Sequence, residues 1–131
     1  MIKKLLVAVD GSPEAEKAAE YALKLGKAYG ADVTVLNVIG VEPPIGREDQ
    51  RKSKEVLAHI KGIAKEVKVN CKTSSRIDPI VHRGIIEEAE EGGYDLIVIG
   101  SKGLTGIKRM VMGSVAENVV KHAHCPVTVI R

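Results

Sequence analysis

Four glycines, two serines and three cations crowd residues 100–114: Gly100, Ser101, Lys102, Gly103, Gly106, Lys108, Arg109, Gly113 and Ser114. These are residue types that hold phosphate. Glycine lets the backbone turn tightly and bring N–H groups to a ligand where a Cβ would clash. The connection leaves an apolar run, Asp95-Leu96-Ile97-Val98-Ile99, and enters a helical pattern running from Val115 to His122. A buried strand feeding a glycine-rich loop and a helix N-terminus gathers free N–H groups and the positive end of a helix dipole. The same residues have a plainer use. Ser114-x-x-Glu117 has the spacing of a capping box, with the serine hydroxyl taking the Glu117 N–H and the glutamate reaching back. A cap leaves the four glycines and three cations unexplained. The loop also lacks the Gly-Lys-Ser/Thr ending of a Walker A motif, so residue types alone leave both uses open.

Asp10 is the second group of interest. Asp10-Gly11-Ser12-Pro13 is good turn chemistry, in which the carboxylate bonds nearby N–H groups. On the same sheet edge as the glycine loop, Asp10 becomes a ligand contact as well. His122-x-His124-Cys125 has metal-ligand types, but no second Cys/His cluster completes four ligands. His122 suits a last helical turn, where the dipole favours a cation, and Cys125 a small buried position before Pro126. His59 and His82 fall on predicted helices as surface residues without partners. Ser12, Ser101 and Ser114 have no evident His/Asp partnership, and no nucleophile elbow is present. Cys71 and Cys125 are too few and too far apart for a disulfide framework. Three Tyr with neither Phe nor Trp give no stacking platform for single-stranded nucleic acid.

The elements that must position these groups alternate along the chain. Its 131 residues are the size of one domain, 1–131. The net charge of +3 is spread without blocks, which argues against a nucleic-acid or membrane surface. No apolar stretch is long enough to span a bilayer, and residues 2–9 read as a strand, not a signal peptide. A cytoplasmic location is expected. Ile2 to Val9 is the first strand; Ser12 as N-cap and Pro13 at the first helical position start a helix that ends near Gly30. Its small stripe, Ala15, Ala18, Ala19 and Ala22, lets it lie close on a sheet. Val33 to Ile39 is the second strand, Glu48 to Lys65 the second helix, and Val67 to Thr73 a third strand near an edge. Val81 to Glu91 is the third helix, closed by Gly92-Gly93; Leu96 to Ile99, Val115 to His122 and Val127 to Ile130 complete the pattern. The order βαβαβαβαβ means one parallel, doubly wound α/β sheet with helices on both faces. Ligands bind such sheets beyond the strand C-termini, here Asp10, Val38 to Gly40, and Gly100.

With these residues in view, the chain resembles the universal stress protein family, in its nucleotide-binding branch. That branch carries Gly, two residues, Gly, nine residues, Gly and Ser/Thr, met here by Gly100, Gly103, Gly113 and Ser114. The opening from Lys3 to Ser12 resembles its first strand and turn, Val35-Leu36-Asn37-Val38 its second strand, Asp95 to Gly100 its fourth, and Cys125-Pro126-Val127 the start of its fifth. The resemblance implies a five-stranded sheet in the order 3-2-1-4-5, a homodimer, and ATP held at the strand C-termini. By position, Asp10 lies near the adenosine, and backbone at Ala8 and Val38 meets the adenine. Gly100, Ser101 and Gly103 line the ribose and phosphates; Gly113, Ser114, Val115 and Ala116 take the phosphates. Lys102, Lys108 and Arg109 sit where the triphosphate should end. Mg2+ or Mn2+ would accompany ATP, held mainly by the triphosphate and by no assigned side chain. The stretch Ile77-Asp78-Pro79-Ile80-Val81-His82 departs from the family's more usual Gly-x-Pro before helix three.

The implied function is a regulatory, stress-response module that signals by ATP occupancy, through a downstream protein partner that the resemblance does not name. No residue stands out as a general base, so hydrolysis is at most slow. The alternative is a slow ATPase or a nucleotidyl-transfer enzyme of the related adenine-nucleotide-binding group. Asp10-Gly11-Ser12-Pro13 is not the Ser-Gly-Gly-type pyrophosphate loop of adenylating members. A phospho-receiver domain needs an acceptor Asp after the third strand, where this chain has Thr73-Ser74-Ser75. The last strand, Val127 to Ile130, falls at a sheet edge in the implied order and is the expected dimer contact.

Overall fold

Parallel strands are covered on both faces, so their sequences run apolar without alternation, and the apolar runs of this chain form such strands. The computed structural model describes residues 1–102 and 112–131. Its elements are β1 (Lys4–Ala8), α1 (Pro13–Tyr29), β2 (Asp32–Ile39), α2 (Arg47–Glu66), β3 (Cys71–Ile77), α3 (Val81–Gly92), β4 (Leu96–Gly100), α4 (Ser114–His122) and β5 (Val127–Ile130). They make one all-parallel, five-stranded sheet in the order β3-β2-β1-β4-β5.

Successive strand residues point to opposite faces, which divides the core in two. Leu5, Val7 and Val9 pack with Ala15, Ala18 and Ala22 of α1 and with Leu57 and Ile60 of α2. Leu6, Ala8 and Leu36 pack with Ile85 and Ala89 of α3 and with Ala116 and Val119 of α4. Each fully buried Leu, Ile or Val among them contributes about 1.5–3 kcal/mol. The helix α1 lies as close as its small stripe predicts: a Cβ on Gly26 would stand 2.3 Å from Val33 Cγ2. Its start is also as expected, with Pro13 in the first turn and the Ser12 hydroxyl accepting the Ala15 N–H at 3.1 Å.

The third strand is displaced from its expected position. Val67 to Thr73 was the expected span, but Val67 caps α2 by donating to the Ile63 carbonyl. Lys68 follows in a left-handed conformation (φ 59°), and Val69 donates to the Ala64 carbonyl at 2.9 Å. The weak alternation there is spent on closing a helix. The real strand is polar because flanking helices satisfy its side chains. Ser75 Oγ lies 3.1 Å from Ser53 Oγ of α2, and Ser74 donates to Glu88 of α3 at 3.0 Å. Arg76 reaches Glu87, Glu88 and Glu91 of α3. The expected edge location stands, since β3 pairs within the sheet with β2 alone.

At the opposite edge of the sheet from the strand C-termini, Asp95 fixes where β1 and β4 begin. Its carboxylate accepts the N–H groups of Lys3 at 2.8 Å and Lys4 at 2.9 Å. Lys4 Nζ also donates to the Gly92 carbonyl and stands 4.6 Å from the centroid of the Tyr94 ring, whose hydroxyl donates to Thr34. The backbone donors from Lys3 and Lys4 hold the Asp95 carboxyl below the usual aspartate value. A depressed folded pKa stabilises above the unfolded value, about 3.9, and that stability is lost as pH falls through the folded value. Urea unfolding at about pH 5 and about pH 3 should therefore show a smaller acid loss for Asp95→Asn than for wild type. Equal losses would remove Asp95 from the acid response.

Candidate functional site

The parallel sheet brings the ends of β1, β2, β4 and β5 to one edge. Connections leave the centre in opposite directions, β1 toward β2 and β4 toward β5, so the crevice lies between β1 and β4. Asp10 lies there, half-buried, and its Oδ1 accepts the Ser12 N–H at 2.9 Å. The turn chemistry read from Asp10-Gly11-Ser12-Pro13 is thus present, with Gly11 at φ 89°.

Strand register explains why backbone at Val38 is available. The Val9 N–H donates to the Leu36 carbonyl, so even-numbered residues of β2 turn their peptide groups toward β1. The Asp78 N–H donates to the Ile39 carbonyl, so odd-numbered ones turn toward β3. Ladder pairing of β1 with β2 ends at Ala8 and Leu36. Val38 therefore faces the space past the end of β1. On its other side stands α3, where a Cβ on Gly84 would lie 3.0 Å from Val38 Cγ1.

The start of α3 is the stretch that departs from the family pattern, and an ion pair organises it. Asp78 is 6% exposed; its Oδ1 accepts the Ile80 N–H at 2.9 Å. Arg83 holds both carboxylate oxygens, Nε on Oδ2 at 2.9 Å and Nη2 on Oδ1 at 2.6 Å. The guanidinium holds the Asp78 carboxyl below its usual value. This fork does the work of a cap, since Ile80 at the N-cap offers no side-chain bond.

At the end of β4, Gly100 owes its lack of a Cβ to the chain itself. A Cβ there would stand 3.1 Å from the backbone oxygen of Glu14 in α1. Ser101 is buried; its N–H donates to the Ile130 carbonyl at 2.7 Å, and its carbonyl accepts the Gly113 N–H at 2.6 Å. That second bond clips the two ends of the glycine connection together. Gly103, Gly106, Lys108 and Arg109 lie outside the described residues, and Lys102, half-buried, lies just inside them.

The expected capping box is not formed. Gly113, not Ser114, is the N-cap (φ −65°, ψ 156°), and Ser114 is the first residue of α4, exposed. Glu117 consequently stands one position too late to reach back; its N–H bonds the Gly113 carbonyl at 2.9 Å and its carboxylate pairs with Lys121. The N–H groups of Ser114, Val115 and Ala116 precede that first helical bond, so no carbonyl of α4 takes them. They point from the positive end of the dipole. The other helix start at the crevice, that of α1, carries Glu14 and Glu16 in its first turn and the Ser12 cap. The first turn of α4 carries one acid, Glu117, and that one is paired with Lys121, so an anion is opposed less at α4 than at α1.

Other groups are accounted for. The histidines expected to lack partners have them: His59 bonds Glu16 at 2.6 Å, and His82 stacks on His122 with ring centroids 6.3 Å apart. His124 bonds Glu90 at 2.6 Å. Among the described residues no group of three His, Cys, Asp or Glu could hold a metal ion. Burial raises both thiols, Cys71 and Cys125, away from the nucleophilic thiolate form. Sequence reasoning missed Asn37, a buried amide whose Nδ2 donates to the Val9 carbonyl at 2.9 Å. Its signal was present: one amide in the otherwise apolar end of β2.

A profile of the universal stress protein family matches residues 1–131. The chain belongs to the universal stress protein family. A family member from Methanocaldococcus jannaschii is 34% identical over 142 aligned residues, spanning 100% of this chain and 83% of that protein. The universal stress protein from Archaeoglobus fulgidus, solved in complex with dAMP, superposes with a TM-score of 0.83 at 27% identity, over 100% of both chains. An Arabidopsis thaliana family member with AMP bound has a TM-score of 0.71 at 26% identity, over 98% of this chain and 90% of that one. The strand order found here is the one that the resemblance to this family implied.

The corrected cap has a measurable consequence. Ser114→Ala should leave the unfolding free energy of the ligand-free protein within about 0.5 kcal/mol of wild type. Removing a true N-cap would lower it by about 1 kcal/mol. Urea denaturation distinguishes the two, and the larger loss would return the hydroxyl to the cap.

Proposed function

We propose that this chain binds an adenine nucleotide, foremost ATP, at the crevice edge and acts as a regulatory module whose signal in a stress response is nucleotide occupancy. The observation that carries this is the start of α4: three N–H groups ahead of the helical ladder, clipped beside the end of β4. Hydrogen bonds to a charged group contribute about 1.5–3 kcal/mol each, so three of them on phosphate are a substantial share of a micromolar affinity, about 8 kcal/mol. The nucleotides bound by the Archaeoglobus fulgidus and Arabidopsis thaliana relatives, dAMP and AMP, support the adenine class.

In this reading the backbone of Ala8 and Val38 meets the adenine, and Asp10 lies beside the adenosine. Gly100, Ser101 and Gly103 line the ribose and the first phosphates, while Gly113, Ser114, Val115 and Ala116 take the phosphate chain. The Gly113 N–H is already bonded to Ser101, so Gly113 serves by leaving room, and the donors are its three successors. Mg2+ fits as an ion carried by the phosphates and water, the usual mode for that cation, and Mn2+ fits equally. Asp10, the carboxylate nearest this role, has Oδ1 taken by the turn, which leaves no evident general base among the described residues. Hydrolysis is therefore slow at most. No helix of the described residues is long and apolar enough to cross a membrane, and both described cysteines are free. A cytoplasmic location, with ATP at hand and thiols kept reduced, suits this role.

Gly113→Val tests the phosphate assignment. Its backbone angles are open to any residue, so the fold survives while the side chain fills the phosphate space. Calorimetric titration with ATP and AMP should show affinity reduced about tenfold or more, roughly 1.4 kcal/mol, with an unchanged circular dichroism spectrum. Affinity near wild type would overturn the assignment.

We further propose a homodimer through β5. Ile97 donates to the Pro126 carbonyl and Ser101 to the Ile130 carbonyl, so even-numbered residues face β4 and the peptide groups of Val127 and Val129 face outward. An apolar edge with outward donors is a pairing surface, and a second copy running antiparallel about a two-fold axis satisfies both. Val129→Pro removes an outward donor without touching the ladder to β4. Sedimentation should find wild type dimeric and Val129→Pro shifted toward monomer; a wild type monomeric at high concentration would exclude this contact.

A further inference from the structure

Asn37 interrupts the sheet at the one place where a base needs backbone. In a regular parallel ladder, a strand residue that donates to one neighbour residue accepts from the residue two further on. Val9 donates to the Leu36 carbonyl at 2.9 Å, so the next step would be Val38 N–H onto the Val9 carbonyl. That step is not taken, because ladder pairing of β1 and β2 stops at Ala8 and Leu36. The Asn37 side chain has taken the acceptor instead: its Nδ2 donates to the Val9 carbonyl at 2.9 Å. Asn37 is only 8% exposed, so this is a built contact and not a surface rotamer.

Val38 is held in position while its peptide groups are left out of the ladder. Its side chain packs in the core layer of α3 and α4, where Gly84 leaves just enough room for it. Its neighbour Ile39 is tied to β3 through the Asp78 N–H at 3.1 Å. A rigid strand with one peptide facing a crevice is a means of reading a planar edge. An adenine edge offers an acceptor nitrogen beside an amino donor, whereas guanine has the O6 acceptor where adenine has the amino group, so a fixed N–H and C=O distinguish the two.

We infer that Asn37 is a positioning residue for nucleobase recognition: by occupying the Val9 carbonyl it keeps the Val38 N–H available to the base. This deepens the nucleotide reading of the site and rests on it. The phosphates lie outside its influence, because α4 is placed by the separate bond from Gly113 to Ser101.

Two measurements test it. In the nucleotide-free protein, the Val38 amide should exchange with solvent far faster than those of Leu36 and Ile39, and Asn37→Leu should slow it about tenfold or more as the ladder closes. In titrations, Asn37→Leu should weaken AMP about two- to tenfold, the range of one neutral hydrogen bond, and leave ribose 5-phosphate unchanged. Asn37→His, which restores a side-chain donor, should recover much of the AMP affinity. Asn37→Ser, too short to reach the carbonyl, stands in if the leucine variant does not fold. A Val38 amide as protected as its neighbours in wild type, or an AMP preference unchanged in the variants, would overturn the role of Asn37 alone. Wild type that binds neither AMP nor ribose 5-phosphate would overturn the reading of the site itself.

Discussion

A backbone hydrogen bond, from the Gly113 N–H to the Ser101 carbonyl, ties the start of α4 to the end of β4. Ala116 and Val119 seat the helix on the sheet, and this bond holds its N-cap at the strand. With it, the N–H groups of Ser114, Val115 and Ala116 are held next to the strand end. Ser101 is itself locked by its N–H on Ile130, so the position of α4 is referred back to the sheet. The same edge holds Asp10 in its turn and Val38 past the end of β1. Among the described residues, Ser101, Gly113 and Val38 are therefore positioned by main-chain bonds of the sheet and its connections.

The two helix starts at the crevice carry the same dipole, but α1 has its positive end offset by Glu14 and Glu16 and its first donors capped by Ser12. The start of α4 has Gly113 at the cap and no side-chain bond there. A helix end with unclaimed donors is a cost to the free protein, which an anion relieves. The start of α4 thus has the geometry that favours an anion.

The sequence was most legible where one physical rule acted alone. Continuous apolar runs from Leu5 to Val9 and from Leu96 to Ile99 announced buried parallel strands, and Ser12-Pro13 announced a helix start. It was misleading where two local uses competed. Val67 to Val69 has β-forming residues but serves the closure of α2, and β3 runs further than expected, to Ile77, because helices satisfy its polar side chains. Ser114-x-x-Glu117 matched a capping box, yet the bond to Ser101 set Gly113 as the cap and moved the register by one. Partners such as Glu16 for His59 and Val9 for Asn37 depend on which elements become neighbours, and no local pattern encodes that. The strand order became legible through the resemblance to the family; alternation of elements alone did not specify it.

The central claim is that the crevice holds an adenine nucleotide. Mass spectrometry of small molecules released on denaturing the purified protein tests it most directly. The account predicts an adenine nucleotide, ATP or its AMP or ADP relatives, bound before purification or taken up stoichiometrically when ATP is supplied. Protein that releases no adenine nucleotide, and retains none after incubation with ATP or AMP, would contradict it.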